Sequence, residues 1–129
     1  MKKISSLNIA KSIIQFAIDK KGQDIVLMDM RKLSSICDWF ILVSAESTRR
    51  VDTISKNIQE ELHKQHVRPL HVEGRQGATW VLLDYGEIVV HIFHKDTRGF
   101  YNLEHLWGKA PREHVDTSTT AKRRRLKRG

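Results

Sequence analysis

The stretch Trp80-Val81-Leu82-Leu83-Asp84-Tyr85-Gly86-Glu87-Ile88-Val89-Val90-His91-Ile92-Phe93 decides the fold. Residues 80–83 and 88–93 are apolar runs too short for helices, and a polar, Gly-bearing break separates them. That pattern predicts an antiparallel hairpin. Its two strands need neighbours, and the preceding sequence supplies them. Ile25-Val26-Leu27-Met28 and Trp39-Phe40-Ile41-Leu42-Val43 are continuous apolar runs, the pattern of strands covered on both faces of a sheet. A further short strand is expected over residues 70–72, before a Gly-bearing loop at 74–77.

Helices account for the rest of the core. Leu7, Ala10, Ile13, Ile14, Ala17 and Ile18 recur at three- and four-residue spacing, predicting an amphipathic helix over residues 6–21. Ser5 or Ser6 can cap it, Lys20 and Lys21 suit its negative end, and Gly22 is expected to take the left-handed turn that stops it. A second helix is expected from Ser47 or Thr48 to about His66, with Val51, Ile54, Ile58 and Leu62 inward. Its length suits a crossover to a parallel strand. Residues 31–37 fit either a turn of helix or a loop. Asn102 can cap a short last helix over residues 103–107, ended by Gly108 and Pro111. Two main helices alternating with about five strands give an α/β class with a mixed sheet, and no internal repeat is present.

The chain has 129 residues and a formal net charge of +8. That length fits one domain with a sizeable core. The charge is uneven. Residues 112–129 hold seven Lys/Arg against two acids, net +5, while residues 1–111 hold sixteen against thirteen, net +3. The expected division is therefore a folded domain over 1–111 and a basic, disordered tail over 112–129. The tail favours polyanionic surroundings such as RNA without conferring recognition. No apolar run approaches the ~20 residues of a membrane span, and no signal-peptide pattern opens the chain. The single cysteine, Cys37, suits a reducing cytoplasm and reads as a small buried hydrophobe.

Several segments together resemble the Iojap family, whose bacterial members are ribosomal silencing factors. They are Cys37-Asp38-Trp39-Phe40-Ile41-Leu42-Val43-Ser44, the group Ser47, Arg49, Arg50 and Val51, the run from Trp80 to Gly86, and Val90-His91-Ile92-Phe93. The set is completed by Arg98, Phe100, Tyr101, Leu103, Glu104, Leu106 and Trp107. The resemblance spans about residues 7–110, with Ala45 standing where the family has Gly in the turn after the strand. It implies a fold similar to that of nucleotidyltransferases but without their catalytic carboxylates. It also implies a role: binding the large ribosomal subunit through the ribosomal protein numbered fourteen, keeping the small subunit from joining, and so repressing translation. No cofactor is implied, and the resemblance leaves open whether the chain forms a homodimer.

Phe40, Val43, Val89 and Phe93 lie inside apolar strands and read as core. Trp80, Tyr85, Phe100 and Tyr101 lie at strand starts, turns and loop ends, where aromatics with a polar tip serve as interface anchors. Leu103 would join their apolar part. Asp84 and Glu104 would add negative charge suited to a basic ribosomal protein, beside their plainer roles in a turn and at a helix start. In the tail, Lys122, Arg123, Arg124, Arg125, Lys127 and Arg128 are the candidates for ribosomal RNA phosphates. An RNA-binding module acting through that tail is the alternative function.

Seven histidines do not make a metal site in this reading. His91 and His94 fall on opposite faces of a strand, and His63 and His66 lack completing ligands. Catalysis is also unsupported. Ser44-Ala45-Glu46-Ser47 occupies the place of a triphosphate-binding turn, but residues 89–93 bring no acidic pair for Mg²⁺. Walker and dinucleotide glycine patterns are missing too.

Overall fold

The computed structural model describes residues 5–101, 105 and 108–115. The elements, in chain order, are α1 (Ser6–Asp19), β1 (Gln23–Asp29), β2 (Trp39–Ala45), α2 (Thr48–His63), β3 (His71–Glu73), β4 (Trp80–Asp84), β5 (Ile88–His94), α3 (Lys95–Tyr101) and β6 (Arg112–His114). Both long helices start on serine caps. The Ser5 hydroxyl accepts from the Leu7 N–H, and Ser47 accepts from Arg50, satisfying donors that the first helical turn leaves unpaired. Ala10, Ile13 and Ala17 of α1 face Val51, Ile54, Ile58 and Leu62 of α2 in one buried cluster. Each of the larger side chains contributes roughly 1.5–3 kcal/mol by leaving water. Asn57 ties the pair together by donating to the Phe16 carbonyl at 3.0 Å.

The stop of α1 differs from expectation. Lys21, not Gly22, takes the left-handed conformation, at φ 67°. Gly22 is needed for space: a Cβ there would stand 2.9 Å from Val43 Cγ1 and 3.0 Å from the Ala17 carbonyl oxygen.

The sheet order is β3-β4-β5-β2-β1-β6. Only β2 and β5 run parallel; every other neighbouring pair is antiparallel. The α2 crossover therefore does produce a parallel pair, but the partner is β5, reached after the β3–β4 connection. The expected hairpin is β4–β5, closed by Gly86 at φ 89°, with the Gly86 N–H donating to Asp84 Oδ1 at 2.8 Å. Residues 31–37 form turns, not a helix.

The described residues form six strands, where about five were expected. The sixth is β6, from residues assigned to the tail. It pairs with β1 through Val26↔His114, Leu27↔Glu113 and Met28↔Arg112, and Val115 N–H donates to the Ile25 carbonyl at 2.8 Å. The folded unit thus passes residue 111, because the exposed edge of β1 offers unpaired backbone groups that a short strand can satisfy.

The short helix expected over residues 103–107, with its cap at Asn102, lies largely outside the described residues. A helix not expected from the sequence, α3, follows β5 directly and begins at Lys95. Asp96 in its first turn suits the positive helix end. Arg98 anchors it by donating to Ser44 Oγ at 2.8 Å and to the Asp24 carbonyl.

Candidate docking face

Strand alternation sorts the sheet into two faces. On the face covered by α1 and α2, Trp39, Ile41 and Val43 of β2 lie with Val81 and Leu83 of β4 and Ile88, Val90 and Ile92 of β5. The other face carries Phe40 and Leu42 of β2, Val89, His91 and Phe93 of β5, and Trp80, Leu82 and Asp84 of β4. Val26 and Met28 of β1 continue it, and Ala110 packs there. The α3 helix lies against β5 and β2.

Toward the β3 edge this second face is apolar but only partly buried. Trp80, Leu82, Asp84, Val89 and Phe40 are all intermediate in exposure. Register places Leu82 opposite His91, Asp84 opposite Val89, and Val89 opposite Phe40. On the outermost strand, His71 lies opposite Asp84 and Glu73 opposite Leu82. His71 and Glu73 pair with each other through Nε2 and Oε2. With Glu87 exposed at the hairpin tip, the rim holds three carboxylates around an apolar floor.

Trp80 is held by its neighbours. Its indole N–H donates to His91 Nδ1 at 3.2 Å, and its ring lies 5.1 Å from that of Phe93 at 31°. His91 is 5% exposed and meets the Phe40 ring edge-on at 4.8 Å. Burial pushes its pKa down to about 4, so the ring is neutral at physiological pH.

The structure brings Trp80 and Asp84 onto one face, four residues apart on the same strand and so ~13 Å along it. Tyr85 is set apart from them. It packs against the helix-side core, its hydroxyl is buried without a hydrogen-bond partner among the described residues, and burial pushes its pKa up to about 12. Phe100 and Tyr101 belong to α3. Leu103 and Glu104 lie outside the described residues, as do Lys122, Arg123, Arg124, Arg125, Lys127 and Arg128. Leu82 was not singled out from sequence, although its two-residue spacing from Trp80 and Asp84 carries the signal.

The stretch aligned with a triphosphate-binding turn is occupied structurally. Ser47 caps α2, and Ser44 accepts from Arg98. Ala45 ends β2 and is not among the residues with positive φ, so alanine carries no strain there. Among the described residues, no three His, Cys, Asp or Glu side chains converge to hold a metal. Cys37 is buried, and burial raises its thiol pKa, which disfavours the thiolate.

The geometry defines an α/β domain with a partly exposed, aromatic, acid-rimmed sheet face. Residues 3–128 match the family described as "Ribosomal silencing factor during starvation", and the chain belongs to that family. The ribosomal silencing factor of Bacillus subtilis is 39% identical over 110 residues, covering 82% of this chain and 93% of the relative. The chloroplastic Iojap protein of Zea mays is 35% identical over 104 residues, 81% of this chain and 45% of that longer protein. A crystal structure of a Chromobacterium violaceum protein superposes with a TM-score of 0.79 at 31% identity, covering 88% of this chain and 94% of that one. Among the described residues, no helix is long and apolar enough to cross a membrane.

Proposed function

We propose that this protein silences translation by docking on the large ribosomal subunit, through its ribosomal protein fourteen, and occupying space the small subunit needs. Family membership supports the association with the ribosome and the silencing role. The observation that carries the docking mode is the partly exposed floor of Trp80, Leu82, Val89 and Phe40 beside Asp84, Glu73 and Glu87. An apolar floor supplies affinity, and a carboxylate rim complements a Lys- and Arg-rich ribosomal protein. Phe100, Tyr101, Leu103 and Glu104 extend the same proposal beyond β4.

The mechanism is competition by volume. No bond is made or broken, and no cofactor or nucleotide takes part. The protein need only bind the separated large subunit and not the joined ribosome. At ~100 times its dissociation constant it then disfavours joining by about 2.7 kcal/mol. The setting is the cytoplasm, where ribosomal subunits assemble. The basic tail adds weak contacts to ribosomal RNA phosphates but does not choose the site.

Binding of large subunits by Trp80→Ala and Leu82→Ala tests the docking face. Each truncation should weaken binding by about 2 kcal/mol, the scale of an interface anchor, with folding monitored separately. Wild-type affinity in both folded variants would show that this face does not dock.

A further inference from the structure

We infer that His91 is a positioning residue: its Nδ1 lone pair holds the Trp80 indole in the orientation that docks. The inference rests on the docking role proposed for Trp80, but its structural half stands apart from that role. Trp80 pairs with Phe93 across the β4–β5 ladder, and His91 pairs with Leu82. His91 is therefore the diagonal neighbour of Trp80, a spacing that long aromatic side chains bridge.

The hydrogen bond between them dictates a tautomer. Indole Nε1 only donates, so the His91 Nδ1 at 3.2 Å must be the unprotonated nitrogen. In a neutral ring the proton then sits on Nε2, which is buried and finds no hydrogen-bond partner among the described residues. A second proton could enter only at Nδ1, setting two N–H donors face to face. The surroundings resist both changes. Facing the ring are Phe40 and Leu42 from β2 and Trp80 and Leu82 from β4, with Phe93 beside it nearly parallel at 6.1 Å and 11°. Besides the Trp80 indole, the polar side chains that β4 and β2 carry on that face are Asp84 and Ser44. No leucine or phenylalanine at position 91 could accept from the indole. A buried histidine with one nitrogen unsatisfied among the described residues makes little sense as packing alone; as the acceptor that orients a partly exposed tryptophan, it does.

The consequence lies in binding. A tryptophan fixed before docking loses less side-chain freedom on contact, worth about three- to tenfold in affinity. Asparagine keeps an acceptor near the Nδ1 position, while leucine does not.

The test uses full-length ¹⁵N-labelled protein, with the Trp80 indole resonance assigned by Trp80→Phe. In wild type, His91 should carry its proton on Nε2, and the Trp80 indole N–H should exchange slowly with water. His91→Asn should keep that slow exchange; His91→Leu should lose it and bind large subunits about three- to tenfold more weakly, with His91→Asn restoring most of the affinity. A proton on Nδ1, or slow indole exchange surviving in His91→Leu, overturns the positioning role. Should His91→Leu not fold, the wild-type tautomer and the exchange rate in His91→Asn decide. If the spectra are as expected but Trp80→Ala binds subunits normally, it is the docking role of Trp80 that fails, and the functional half of the inference falls with it.

Discussion

Acid should destabilise this domain through His91. The imidazole titrates near 6.5 when exposed, and burial lowers it to about 4 in the folded chain. Between those values the unfolded chain binds a proton that the folded chain refuses. Stability is therefore complete above about pH 6.5 and falls as the pH drops toward 4. Each pH unit in that window is worth about 1.4 kcal/mol, so a change from pH 7.5 to 4.5 should remove about 2.5 kcal/mol through this one residue. That is a large share of the stability of a small domain. Other groups respond to acid as well. Asp29, whose pKa is lowered chiefly by its hydrogen bond with Arg31, also loses stabilising charge. The comparison must accordingly be a difference of differences. Urea unfolding of wild type and His91→Asn at both pH values, extrapolated linearly to water, isolates the histidine, since asparagine does not titrate. The variant should lose about 2.5 kcal/mol less than wild type on acidification. Equal losses, within about 0.5 kcal/mol, would show that His91 accepts its proton freely and is not the buried neutral acceptor described above.

Other perturbations separate the fold from the proposed docking face. Gly74 has φ +85°, and a Cβ there would stand 2.0 Å from the Trp80 carbonyl oxygen; Gly74→Ala should cost about 2 kcal/mol or more in urea unfolding and displace the start of β4. Asp84→Lys should weaken subunit binding by placing like charge against a basic partner, while its thermal midpoint falls only modestly because the Gly86 N–H no longer has the carboxylate to donate to. Deleting residues 116–129 should flatten the salt dependence of binding by about 0.7 in log–log slope for each single-strand phosphate that the tail neutralises; binding that vanishes at low salt would favour the tail as the principal RNA-binding element.

Local pattern carried most of the architecture. The serine caps, the apolar stripes of α1 and α2 and the β4–β5 turn all depend on residues close in sequence, so their spacing alone predicts them. Tertiary pairing was less accessible. Nothing in Arg112-Glu113-His114 announces a strand; these residues become β6 only because β1 presents a free edge. Lys95 starts a helix partly because Arg98 finds Ser44 and Asp24, partners far away in the chain. The face proposed to dock was half legible. Trp80 and Asp84 lie where an alternating strand puts them, and Leu82 follows from the same rule. Tyr85 packs against the helix-side core, apart from Trp80 and Asp84, a placement that its position in a turn does not reveal. That His91 accepts from Trp80 required the register between strands.

Silencing by occlusion is tested most directly by mixing purified small and large subunits with increasing amounts of the protein and following joined ribosomes by sedimentation. Joined ribosomes should decline as the protein approaches saturation, the protein should sediment with the large subunit, and no ATP or GTP should be consumed. Normal joining at saturating protein, or inhibition that requires nucleotide hydrolysis, would contradict this mechanism.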